Sequence, residues 1–195
     1  MNYRIISCFL LFHSVSWAQS PKEQQFQQTV KEVVKAFSTQ NKTALIPYIN
    51  KDIGIYQLDK VGVFGHYNHL QSVSFSDQGY PQVLFTYSKG VKVLPLTYAK
   101  LPTWNCDKEQ WSKRGMFVDT TQTNHLLSQT CKDRNRFVPD HIPTSLIKQV
   151  YSLENKSRRV VVADSQGREL VFYLSYINRK WYWTIIDNLS SDCSI

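Results

Sequence analysis

"FYLSYINRKWYWTIID", residues 172–187, places six aromatic rings in sixteen positions. Asn178-Arg179 separates two runs rich in aromatic and β-branched residues, the pattern of two strands joined by a two-residue turn. Such a turn sets Tyr176 opposite Trp181, Leu174 opposite Trp183 and Phe172 opposite Ile185. Those six residues then share one apolar face, and a slip of one position would scramble it. The other face carries Tyr173, Ser175, Tyr182 and Thr184, a mixed set expected on the open side of a half-covered sheet. Substitutions at Tyr173 and Tyr182 are therefore expected to be tolerated far better than at Trp183 or Phe172. The aromatics are expected to serve packing before ligand stacking, each cross-strand pair contributing roughly 0.2–1 kcal/mol. "RRVVVAD" (158–164) and the turn "SQG" precede this pair, which makes a three-strand antiparallel meander.

The chain begins "MNYRIISCFLLFHSVSWAQS". Arg4 precedes an apolar run from Ile5 to Phe12, too short to span a bilayer, and Ser16-Trp17-Ala18 offers small residues where a signal peptidase cuts. Residues 1–18 are thus expected to be a signal peptide that takes Cys8 with it, and residues 19–195 a single exported α+β domain, periplasmic, on the outer surface or secreted. Hydrophobic residues at 42% and aromatics at 13% exclude a disordered chain. Loss of Arg4 takes 23 basic residues to 22 against 15 acidic ones, an excess that favours anionic partners. Anionic glycan, a lipid surface or a protein partner fit this reading, and export disfavours nucleic acid.

Export also implies oxidising conditions, in which two of Cys106, Cys131 and Cys193 are expected to pair. Cys106 and Cys131 bracket the polar middle of the chain and are the expected disulfide. Closing that loop would stabilise by roughly 3 kcal/mol in the chain-entropy model.

"SPKEQQFQQTVKEVVKAFSTQ" (20–40) spaces Phe26, Val30, Val33, Val34 and Phe37 along one helical face. A short apolar segment follows around Leu45, Ile46 and Ile49. Residues 49–70 read as a loop-rich connection with short extended pieces, and "PQVLFTYSKGVKVLPL" (81–96) as a hairpin turning at Ser88-Lys89-Gly90. Residues 101–141 read as polar and turn-rich. "PTSLIKQVYSLEN" (143–155) predicts a short helix, with Thr144 or Ser145 helping to cap it.

The amphipathic first helix, the short second one and the closing meander resemble the NTF2-like, or cystatin-like, α+β architecture. "LPTWNCDKEQWSKRGMFVDT" (101–120) together with "VFYLSYINRKWYWTIID" (171–187) resembles uncharacterised secreted bacterial proteins with such a sheet. The resemblance implies a curved, mainly antiparallel sheet wrapped on a helix, often with a pocket at its wide end. It implies no activity, because this architecture serves enzymes, binding modules and assembly domains alike.

Asp187 ends the last strand. It is the weak candidate for a catalytic carboxylate at a pocket mouth, as in NTF2-like isomerases and dehydratases, against the plainer role of capping a turn. His66 and His69, in "GHYNH", have the two-residue gap of a metal pair, yet no further ligand motif accompanies them and no metal or cofactor is expected. "SKR" (112–114), "KDRNR" (132–136) and "KSRR" (156–159) are basic clusters that a surface interaction protein would use if they converged. No nucleophile-elbow, zincin or phosphate-loop motif occurs. The expected function is an exported, non-catalytic domain that binds a small molecule, glycan or protein, with an NTF2-like enzyme using Asp187 and a basic-faced interaction protein as alternatives.

Protein recovered after expression with its own leader should give an intact mass that starts at Gln19. A retained Met1, or lipid on Cys8, would contradict cleavage after Ala18.

Overall fold

Ser20 starts the first helix by accepting a hydrogen bond from the Glu23 backbone N–H at 3.3 Å, and Pro21 occupies the first turn, where its missing N–H costs nothing. α1 then runs Pro21–Ser38 and buries Phe26, Val30, Val33, Val34 and Phe37, the stripe its spacing predicts. The computed structural model describes residues 19–75, 88–137 and 141–193. The expected leader, Cys8 and the first arm of the 81–96 hairpin (81–87) lie outside them.

Asn41 caps a single turn, α2 (Lys42–Leu45), that continues into a 3-10 turn at Ile46–Tyr48. Residues 49–70 are more regular than their glycines suggest. They form a full hairpin, β1 (Ile55–Val61) and β2 (Phe64–Leu70), paired without a break. Gly54 admits the chain into β1 at φ +68°, where a Cβ would lie 2.6 Å from the Leu70 carbonyl oxygen. Past Gly90 the second arm of the expected hairpin is irregular until β3 (Leu96–Tyr98).

The polar middle yields β4 (Trp104–Asn105), β5 (Gln110–Trp111), β6 (Gly115–Val118) and a helix that the turn-rich reading lacks, α3 (Leu126–Phe137). α4 (Thr144–Glu154) is the short helix expected, but Pro143 occupies its N-cap and no side chain caps it, so neither Thr144 nor Ser145 has that role. β7 (Ser157–Ala163), β8 (Glu169–Ile177) and β9 (Lys180–Asp187) complete the chain as the expected meander.

Among the described residues seven strands form one mainly antiparallel sheet in the order β2-β1-β9-β8-β7-β6-β3, with parallel pairing at β1–β9 and β3–β6. β4 and β5 pair separately as a small hairpin. α1 covers one face, where Trp181, Trp183, Phe172 and Leu174 meet Phe26, Val30 and Phe37. Phe26 approaches Trp181 edge-on at 4.9 Å, and Phe37 approaches Trp183 likewise at 5.0 Å.

Asn178 and Arg179 take φ values of 48° and 64°, as a hairpin turn with two left-handed residues requires. The turn sets Tyr176 opposite Trp181 and Leu174 opposite Trp183, as expected. Phe172, however, faces Ile186 rather than Ile185, because Thr184 is an extra residue in β9 and Tyr173 takes Ile185 as its partner. Ile186 therefore joins the α1-side core, while Ile185 joins Tyr56, Leu58, Leu127 and Val150 on the other side.

That other side is not half-open. Tyr173 is 1% exposed, and Ser175 and Thr184 are fully buried beneath the α3–α4 layer, so the expected tolerance at Tyr173 does not fit the structure. The polar atoms satisfy one another: the Ser157 and Ser175 hydroxyls lie 2.6 Å apart, those of Ser175 and Thr184 2.5 Å apart, and the Tyr173 hydroxyl donates to Asn124 Oδ1 at 2.8 Å. A mixed strand face can be buried when its hydroxyls pair in this way.

Candidate functional site

The bulge puts Asp187, the last residue of β9, on the sheet face it shares with Ile185, Tyr173 and, across β8, Arg159 of β7. Its Oδ2 accepts from Arg159 Nη2 at 2.8 Å and from the Ser190 hydroxyl at 2.8 Å. Its Oδ1 accepts from the backbone N–H groups of Leu189 and Ser190 at 3.1 and 2.9 Å. The Asp187 side chain is fully buried and that of Arg159 is 11% exposed. Both carboxylate oxygens are thus committed to a cation and to the turn that follows, which is the capping role. Neither a histidine nor a second carboxylate bonds to it among the described residues.

Beyond Asp187 the chain bends back across the start of β8. Ser191 donates to Glu169 Oε1 and Trp111 Nε1 donates to Glu169 Oε2, each at 2.5 Å. Between this returning segment, the β4–β5 hairpin and the ends of β8 and β9 lies a cavity of about 680 Å³. Glu109, Glu169, Asp187 and Asp192 contribute to its wall with the Trp104 ring, and no Lys, Arg or His is among its described lining residues. Trp104 packs edge-on against Trp111 at 5.5 Å. Asn188, also in the wall, has its buried Nδ2 without a hydrogen-bond acceptor.

The disulfide belongs to this region and corrects the expected pair. Cys106 bonds to Cys193, not to Cys131. Cys131 lies on the inner side of α3, fully buried against the sheet with Leu58 and Tyr56, while Cys106 sits on the β4–β5 turn and the returning tail brings Cys193 to it. Trp104 Nε1 donates to Cys193 Sγ at 3.0 Å. The closed loop has a separation of 87 residues, for which the chain-entropy model gives roughly 4–5 kcal/mol. Burial first, and then the nearby Glu154 charge, push the Cys131 thiol up to about 12, so it is a packing residue and not a nucleophile.

Glu154 is a functional-looking group that sequence reasoning missed. Fully buried at the end of α4, it accepts from the Leu127 N–H at 2.7 Å and the Ser128 N–H at 3.3 Å, which places an anion at the start of α3. Burial raises its pKa against the opposing pull of those hydrogen bonds and of His125, whose Nδ1 lies 3.6 Å from Oε2. His125 stacks on Tyr151 at 4.3 Å. The arrangement joins two helices, and just before α3 Asn124 accepts from the Leu126 N–H at 3.0 Å.

His66 and His69 do not converge. Three positions apart on a strand, they point to opposite faces. His69 stacks on Tyr56 at 4.5 Å and bonds to the Ile53 carbonyl, whereas His66 meets Asn68 and Arg134. Several arginines of the basic clusters have partners within the protein. Arg158 holds Glu23 at 2.8 Å, Arg159 holds Asp187, and Arg134 contacts His66. No family model, curated protein or solved structure matches the chain.

Replacing Arg159 with Met should leave the Asp187 charge buried without its cation and lower the unfolding free energy by about 3–5 kcal/mol, read from urea titration. Adding Asp187→Asn to Arg159→Met should recover part of that loss. A neutral Arg159→Met would show that the pair does not hold the site together.

Proposed function

We propose that the protein is an exported, non-catalytic binding domain whose cavity takes a small organic cation that also carries a hydrogen-bond acceptor. The observation that carries this reading is the cavity wall: beside the Arg159-paired Asp187 it holds Glu109, Glu169 and Asp192, and no cationic side chain is among its described residues, in a chain of net charge +8. A cationic ligand gains from that concentration of negative charge in a recess partly shielded from water. The Trp104 ring in the wall can meet a cation, and the Asn188 amide offers a donor for a hydroxyl or carbonyl oxygen. Ammonium-bearing sugars and basic peptide side chains have this chemistry.

Binding is preferred over catalysis because Asp187 spends both oxygens on Arg159 and the turn, which leaves no lone pair aimed into the cavity for proton transfer. The helix packed across a mainly antiparallel sheet supports an NTF2-like or cystatin-like kinship, with α3 and α4 as an added layer. The Cys106–Cys193 bridge is compatible with export into an oxidising compartment.

Thermal shift and calorimetry with glucosamine and lysinamide, beside glucose and glucuronate, test this reading. The two ammonium compounds should stabilise the protein and the acidic sugar should not, with Glu109→Gln weakening the effect several-fold. Equal responses to glucose and glucosamine, or a preference for glucuronate, would overturn it.

A further inference from the structure

Seven large hydrophobic residues are exposed among those described, and three of them gather at one place. Val63 (63% exposed) and Phe64 (40%) form the tip of the β1–β2 hairpin, and Phe137 (60%) ends α3 beside them. The Phe64 and Phe137 rings stack at 4.9 Å with an angle of 17° between their planes. A Cβ added at Gly62, on the same turn, would meet nothing within 4 Å, so the tip projects into open space. Stacking two aromatic rings hides part of each from water and still leaves both exposed, which a protein gains from only if something else covers them.

The charges around the tip indicate what that is. Lys60, Arg134 and Arg136 lie within a few residues of the three apolar side chains, and among the described residues the partly exposed carboxylate beside them, Asp133, accepts from Arg136 at 3.5 Å. Asp59, the other nearby carboxylate, is 3% exposed. We propose that this tip is a membrane-docking surface, in which Val63, Phe64 and Phe137 enter the interface of an anionic bilayer while Lys60, Arg134 and Arg136 meet its headgroups. A protein partner fits less well. Three side chains on a projecting tip cover far less than the roughly 800 Å² per partner of a stable interface. A lipid interface needs no complementary pocket, and binding to it scales with the apolar area inserted plus the attraction of basic residues for anionic lipid. The surface is separate from the acidic cavity, so docking leaves that recess free.

Co-sedimentation with vesicles of phosphatidylcholine alone or mixed with phosphatidylglycerol tests the proposal. Wild type and variants are compared on the same N-terminus, fixed by intact mass, so that any contribution of residues 1–18 cancels. The protein should partition onto the mixed vesicles and weaken with added salt. Phe64→Ser with Phe137→Ser should lower the partition coefficient by about tenfold or more, and Arg136→Glu several-fold. Urea midpoints near the wild-type value confirm folded variants, and the Arg136→Glu arm does not depend on altering the apolar contacts. No partition onto anionic vesicles would overturn the proposal. So would partition indifferent to the two phenylalanines, or a self-association that Phe137→Ser abolishes.

Discussion

One extra residue in β9 sets the arrangement of both layers. With Thr184 bulged out of register, Ile185 and Ile186 face opposite sides of the sheet, one toward α3 and α4 and the other toward α1. Without the bulge the strand would present the Trp181, Trp183 and Ile185 series to a single core. With it, Ile186 takes the α1 side instead, and Asp187 shares the opposite face with Ile185, where Arg159 of β7 reaches it across β8. Trp183 bridges the irregularity by donating its indole N–H to the Ile185 carbonyl at 3.1 Å. Bulges increase local twist and re-aim side chains, and here the re-aimed side chain begins the turn that walls the cavity.

Covering the second face takes polar chemistry as well as apolar burial. The hydroxyl chain of Ser157, Ser175 and Thr184 lies within the sheet, and Glu154 joins α4 to the start of α3 through backbone N–H groups. Each is stabilising only while all its partners are present, since a buried group left unpaired costs about 1–3 kcal/mol. These networks fix how the helices sit. The core on the α1 face is built mostly from apolar side chains, with Phe26 and Phe37 edge-on against Trp181 and Trp183.

Much of this was legible in the sequence where a short-range rule applies. The two-residue turn at Asn178-Arg179 dictates the pairs nearest to it, and the spacing of Phe26 through Phe37 dictates α1. Legibility ended at features that leave no compositional mark. Thr184 suits a regular strand as well as a bulge. α3 escaped notice because its buried side uses Ser128, Thr130 and Cys131 beside Leu127, which look polar when counted. Asp187 was visible as the end of a strand, but its partner Arg159 read as one member of a surface cluster. Cysteine spacing could not reveal that the tail folds back to Cys106, which depends on the bonds of Ser191 and Trp111 to Glu169.

The acidic recess and the basic, aromatic tip give the protein two surfaces of opposite charge, both positioned by a sheet packed on two sides. That two-sided packing is tested most directly by urea unfolding of three alanine variants within the closing hairpin. Trp183→Ala and Tyr173→Ala, on opposite faces, should each lose about 3–5 kcal/mol, while Tyr182→Ala, on the partly exposed part of β9, should lose far less. A Tyr173→Ala variant as stable as Tyr182→Ala would contradict burial of the second face, and with it the layer that α3 and α4 are said to form.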